Sequence, residues 1–135
     1  MISRDIKSMT IDEIIALFSE LGLPKFRATQ VFKWLHSGCD DFSEMTNLLF
    51  SLREELRNNF DIYSVVAEKK MVSKIDGTVK YLFKLYDGQY IESVFMKYEH
   101  GYTVCISTQV GCRMGCSFCA SGINGLSRNL TPSEM

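Results

Sequence analysis

The sequence predicts an α+β chain that leads into α/β: a small N-terminal helical bundle, an antiparallel β segment, and then a strand, a loop and a helix start. Apolar residues recur at helical spacing between residues 10 and 60. From about Ser64 the period shortens to two, and near Val104 a short strand runs into a cysteine-rich loop. These shifts divide the chain into residues 1–63, 64–103 and 104–135.

In the first segment, Thr10 and Glu13 form a capping box, each satisfying a backbone N–H at the helix start. Ile11, Ile14, Ile15, Phe18 and Leu21 then share a helical face, and Gly22 stops it. Pro24 opens a second helix with Phe26, Val31, Trp34 and Leu35 as its apolar side. Ser37, Gly38, Asp40 and Asp41 break it. Thr46 is placed to cap a third helix carrying Leu48, Leu49, Leu52 and Leu56.

In the second segment, Val65–Ser73, Val79–Tyr86 and Tyr90–Tyr98 read as strands of an antiparallel meander. Asp76-Gly77 and Asp87-Gly88 serve as two-residue turns. In the third, Val104–Ser107 is a further strand. Thr131, Pro132 and Glu134 announce a helix with an N-cap, a proline at its first position and a capping box. That helix start at the last residues predicts a piece of a longer protein.

Composition narrows the function classes. With 46% hydrophobic and 12% aromatic residues, the 135-residue chain can build a core, and global disorder is excluded. No run approaches the ~20 apolar residues of a membrane span. Met1 to Thr10 is polar, without an apolar signal core, so a cytoplasmic address and no membrane partner are expected. The net charge of −1 does not announce a nucleic-acid partner, so any RNA binding is expected to come from local patches or from parts of the protein outside these residues. Lys25, Arg27 and Lys33 are candidates, against the plain reading of solvated helix charges.

Three of the five cysteines, Cys112, Cys116 and Cys119, fall within eight residues at C-x3-C-x2-C spacing. Thiolates bind the iron of a [4Fe–4S] cluster, normally four of them. Three ligands leave one iron open, where the amino and carboxylate groups of S-adenosylmethionine (SAM) can chelate. Gly111 and Gly115 let backbone N–H groups approach sulfide closely, and Phe118 sets an apolar ring beside the cluster, within reach of adenine. A zinc site would need a fourth ligand from Cys39, Cys105, His36 or His100, none at customary finger spacing. Cys116 and Cys119 form a C-x-x-C pair without the βαβ context of a thioredoxin-like redox site. Taken alone, Cys105 reads as core packing and Cys39 as incidental. Glu92 reads either as a partly buried carboxylate on the face of Tyr90 and Val94, or as a strand charge facing water.

The run Cys105-Ile-Ser-Thr-Gln-Val-Gly-Cys112-Arg-Met-Gly-Cys116-Ser-Phe-Cys119, followed by Gly125-Leu-Ser-Arg128-Asn129-Leu130-Thr-Pro-Ser-Glu134, resembles the RlmN family. These are radical SAM adenine C2-methyltransferases of 23S rRNA and tRNA. Pro24-Lys-Phe26-Arg27-Ala28-Thr-Gln30-Val and Phe42-Ser-Glu-Met45-Thr46 are similar to the family's N-terminal RNA-binding module. Ile91-Glu92-Ser-Val-Phe-Met-Lys is similar to its linker. The resemblance implies that residues 104–135 start a radical SAM partial (β/α) barrel. It implies a [4Fe–4S] cluster on Cys112, Cys116 and Cys119, SAM beside Phe118, Glu92 as proton acceptor, and Cys105 as the cysteine that resolves the protein–RNA adduct through a disulfide. The implied substrates are adenosine 2503 of 23S rRNA and adenosine 37 of tRNA. The implied partner is an electron donor such as flavodoxin or ferredoxin, and the implied state is a monomer. The sister Cfr-type C8-methyltransferases share the triad, and a non-catalytic RNA- or zinc-binding fragment is the reading from another class. The family's methyl-carrying cysteine has no counterpart here, so these residues alone are expected not to complete the reaction.

Overall fold

The computed structural model describes residues 5–135; the first four residues of the polar N-terminal stretch lie outside them. The chain divides into two compact units, Met1–Tyr63 and Ser64–Met135.

The first unit is helical. A 3-10 turn at Ile6–Ser8 is followed by α1 (Ile11–Glu20), α2 (Lys25–Leu35), a second 3-10 turn at Phe42–Glu44, and α3 (Phe50–Asn59). Ile6, Ile14, Phe18, Val31, Leu35, Met45 and Leu56 are wholly buried and form one core. Asp5 ties the two ends of the unit, its carboxylate accepting from the Lys7 and Tyr63 backbone N–H groups at 3.2 Å each.

The capping box of α1 is present: Glu13 N donates to Thr10 Oγ1 at 3.3 Å, and Thr10 N donates to Glu13 Oε2 at 2.7 Å. The Thr10 backbone N–H, and then its hydroxyl, hold the Glu13 carboxyl below its ordinary pKa. Thr10→Ala removes the acceptor for Glu13 N, and is expected to cost the first unit about 1 kcal/mol in a urea titration.

Two sequence expectations are corrected here. Phe26 does not join the apolar side of α2. Ala28, Val31 and Leu35 turn to the core, while Phe26 is 55% exposed. Thr46 does not cap α3, which begins at Phe50 behind Leu49, whose side chain makes no capping bond. The backbone N–H of Thr46 instead closes a turn on the Glu44 carbonyl at 2.7 Å, which leaves buried Leu48 ahead of the helix.

The second unit holds a four-stranded antiparallel meander in the order β1 (Val66–Val72), β2 (Val79–Lys84), β3 (Tyr90–Tyr98) and β4 (Gly101–Cys105). A bulge between Ala67 and Lys69 interrupts the pairing of β1 with β2. A separate two-stranded ribbon pairs β5 (Gln109–Gly111) with β6 (Leu126–Asn129), also antiparallel. Leu85 just after β2, Ile91 on β3, Val110 on β5 and Leu130 just after β6 form the small core.

The connections differ from the two-residue turns expected. Ser73 N bonds Thr78 O, and Leu85 N bonds Gln89 O, so the loops hold four and three residues. A two-residue type I′ turn needs positive φ at both central positions. Among the described residues only glycines have it, here Gly77 (φ 72°) and Gly88 (φ 79°). The strand expected at Val104–Ser107 ends at Cys105 as the last strand of the meander. The named strands pair only antiparallel, so no parallel barrel pairing is present among the described residues. The helix start at Pro132–Glu134 forms as a 3-10 turn with its capping box made.

Candidate functional site

Ribbon β5–β6 presents the cysteine loop. Gly111 ends β5 at φ 75°, and the Cys112 N–H donates to the Gly125 carbonyl at 3.0 Å, which closes the loop at its base. Inside, Cys119 N bonds Cys116 O at 3.0 Å, and Gly125 N bonds Gly122 O at 3.1 Å. Gly115 turns the chain at φ 63°. Cys112 and Cys119 are half-buried and Cys116 is exposed. Phe118 is 90% exposed.

All five cysteines are free thiols. Among the described residues no three His, Cys, Asp or Glu side chains are gathered closely enough to hold a metal ion. The three thiols therefore share one loop without converging on a point. Their chemistry nonetheless fits an iron–sulfur group: three soft donors in eight residues, with the Met114 N–H directed at Cys112 Sγ from 3.5 Å. Backbone N–H groups aimed at sulfur stabilise a metal-bound thiolate.

A cavity of about 770 Å³ lies against this loop. Gly111, Ala120, Asn124 and Gly125, on either side of the cysteines, form one part of its lining, and Glu92 and Cys105 form another. Register explains why these two meet. Cys105 pairs with Val94 across β3–β4, and Glu92 lies two residues from Val94, on the same face. Cys105 is exposed, so the core-packing reading of this thiol does not hold. The Glu92 side chain is 51% exposed and pairs with Lys80 Nζ at 2.7 Å. Ser107 Oγ donates to the Glu92 carbonyl at 2.7 Å, fixing that stretch of β3 from the segment after β4.

Sequence reasoning missed Lys80 and the network around Arg128. No sequence signal pointed to Lys80, because its diagonal place across from Glu92 follows from the pairing of Leu82 with Glu92, which the three-residue loop sets. Arg128 on β6 is fixed from three sides. Its Nε meets Asp87 Oδ2 at 2.7 Å, and Nη1 and Nη2 meet the Glu134 carboxylate at 2.7 and 2.8 Å. Its guanidinium also lies over the Tyr86 ring, 5.2 Å from the centroid. The network joins the β2–β3 turn to the ribbon that carries the cysteines. Burial alone would raise the Glu134 carboxyl, but Arg128 and the Thr131 backbone N–H outweigh it and hold the pKa below the ordinary value. The Arg128 hydrogen bond is the main cause of the lowered pKa of Asp87. Cys39, buried and among acidic neighbours, has its thiol pushed up, first by burial, and stands outside the site.

The comparisons with known proteins give the class first. The chain superposes on a radical SAM methyltransferase from Sphaerobacter thermophilus with a TM-score of 0.82 and 39% identity, covering 98% of this chain and 39% of that one. Residues 4–62 match the family model described as the ribosomal RNA large subunit methyltransferase N-terminal domain. A probable dual-specificity RNA methyltransferase RlmN from Alkaliphilus metalliredigens is 55% identical over 131 residues, 97% of this chain and 37% of the relative. The same-named protein of Lachnospira eligens is 52% identical over 132 residues, 97% of this chain and 38% of the relative. This chain belongs to the RlmN family. It spans well under half the length of these relatives. No described helix is long and apolar enough to cross a membrane.

Proposed function

We propose that these residues form the front part of a radical SAM methyltransferase that adds a methyl group to C2 of adenine in 23S rRNA and tRNA. One observation carries the reading: the loop that bears the three thiols contributes its flanking Gly111, Ala120 and Gly125 to a cavity that Glu92 and Cys105 also line. Cys112, Cys116 and Cys119 would hold a [4Fe–4S] cluster and leave one iron for SAM. Such a cluster, when bound, would supply one-electron reduction at SAM.

The chain's own residues do the remaining work assigned to them. Gly111 and the Cys112–Gly125 bond hold the loop base closed. Phe118 offers an apolar face for the adenine of SAM. Glu92, fixed by Lys80 and by the Ser107 bond to its carbonyl, takes the proton from adenine C2. Cys105, a free exposed thiol, supplies the sulfur that forms a disulfide with the methyl-carrying cysteine and so releases the product. That second cysteine is not among these 135 residues, whose five cysteines all lie at or before Cys119. The chain by itself is therefore proposed not to turn over. Residues 104–135 would open the partial barrel and the first unit would bind RNA. The protein would act as a cytoplasmic monomer reduced by flavodoxin or ferredoxin.

Anaerobic loading with iron and sulfide tests the proposal. About four irons per chain and a broad visible absorption are expected. Cys112→Ser, Cys116→Ser and Cys119→Ser should each lose the colour, while Cys39→Ser and Cys105→Ser should retain it. Uptake of zinc but no iron, or iron retained after all three substitutions together, would sink the reading.

A further inference from the structure

Charge is sorted between the first two helices, whereas α3 mixes Arg53 and Arg57 with Glu54 and Glu55. Helix α2 contains Lys25, Arg27 and Lys33 and no carboxylate. Helix α1 contains Asp12, Glu13 and Glu20 and no cation. Because Ala28, Val31 and Leu35 turn inward, helical spacing puts Phe26 and Lys33 on the outward side of α2. Phe26 is 55% exposed, and Phe50 at the start of α3 is 70% exposed. Each ring carries a guanidinium: Arg27 Cζ lies 4.9 Å from the Phe26 centroid, and Arg53 Cζ lies 5.8 Å from that of Phe50.

Asn47 joins the two places. Its carbonyl accepts from Arg27 Nη1 at 3.1 Å, and its Oδ1 accepts from Trp34 Nε1 at 2.7 Å, three residues before Phe50. Among the described residues, Lys25, Arg27, Lys33 and Arg53 have no carboxylate within ion-pair distance.

We infer that this face binds unpaired nucleotides of RNA, with bases stacked on Phe26 and Phe50 and phosphates on Arg27, Lys33 and Arg53. The inference rests on the reading of the chain as part of an RNA methyltransferase and names the surface and the form of RNA it takes. An apolar protein partner would desolvate these cations without a counter-charge. An acidic peptide would meet the charges and leave two flat rings unused. A single strand uses both, because every base has a π face and every link a phosphate. A duplex has its base faces already stacked and offers the rings nothing.

The test is fluorescence anisotropy of the intact chain with a labelled single-stranded oligoribonucleotide of about a dozen nucleotides, and with the same strand in a duplex. The single strand should bind more tightly. Phe26→Ala and Phe50→Ala should each weaken it roughly five- to hundred-fold and leave the salt dependence unchanged. Phe26→Tyr should restore binding. Lys33→Gln should instead lower the slope of log affinity against log salt by about 0.7. Circular dichroism checks that each variant is folded, and both exposed rings can be removed without touching the core. The inference is overturned if the Phe26→Ala, Phe50→Ala double variant binds as tightly as the parent, if duplex and single strand bind alike, or if no RNA binds at low salt. Iron loading of the cysteine loop is read separately. Iron uptake without this RNA pattern removes the inference and leaves the function. The RNA pattern without iron uptake does the reverse.

Discussion

Arg128→Ala is expected to cost the second unit about 2–3 kcal/mol, read from urea denaturation of its β signal. The Glu134 side chain is 1% exposed and receives two hydrogen bonds from Arg128, whose own side chain is 25% exposed. Removing one partner of a fully buried pair costs about 3–5 kcal/mol, because the other charge is left uncompensated. Solvent reaches part of Arg128, and Thr131 N still donates to Glu134 at 2.9 Å, so the figure is reduced to about 2–3 kcal/mol. Arg128→Lys should recover only part of the loss, since an ammonium does not reproduce the two-pronged contact while also reaching Asp87.

The same network sets an acid limit. Asp87 and Glu134 both have pKa values below their ordinary ones in the folded chain. Their stabilisation is therefore complete above the unfolded-state values, near pH 4, and is lost as pH falls through the folded values. The second unit should lose stability progressively below about pH 4, and Arg128→Ala should flatten that slope. An unchanged slope would show that other carboxylates govern it.

Gly111→Ala is expected to be as damaging, by a different route. An added Cβ would overlap the Gly125 carbonyl oxygen, which is backbone and has no rotamer to yield. The residue also sits at φ 75°, where a side chain adds about 1–2 kcal/mol of strain. With the overlap, about 3 kcal/mol or more is expected. Relief requires β5 and β6 to part at the base of the cysteine loop, breaking the Cys112–Gly125 bond. Iron loading should then fail although all three thiols remain. Gly77→Ala gives the comparison: it shares the positive φ but has open space around it. It should cost only the strain and leave loading intact.

Much of this arrangement is legible in the residues. The Thr10–Glu13 and Thr131–Glu134 boxes and the first three strands of the meander follow from local chemistry, because each is decided within a few residues, whereas the glycines mark where the loops fall and not their lengths. Phe26 was not, since periodicity says that a residue is apolar and not whether anything covers it. The start of α3 failed for a similar reason. Thr46 is a good cap by type, but the turns closed by Thr46 N on Glu44 O and Leu48 N on Met45 O carry the chain to Leu49 before α3 begins, beyond reach of its hydroxyl. The meeting of Glu92, Cys105 and the cysteine loop at one cavity depends on register between strands, which single-sequence patterns do not specify. Arg128 stands in the quoted motif without a role there, because its partners lie 41 residues back and 6 residues ahead.

The irregularity at Ala67 and Lys69 bears on how the protein behaves at high concentration. Strand β1 lies at the rim of the meander, and all seven of its residues are exposed. A straight rim of unsatisfied amides would invite strands from neighbouring molecules. The kink breaks the spacing such an added strand would have to follow, and Glu68, Lys69 and Lys70 surround it with charge that resists drying. Self-association through that rim is disfavoured by its own geometry.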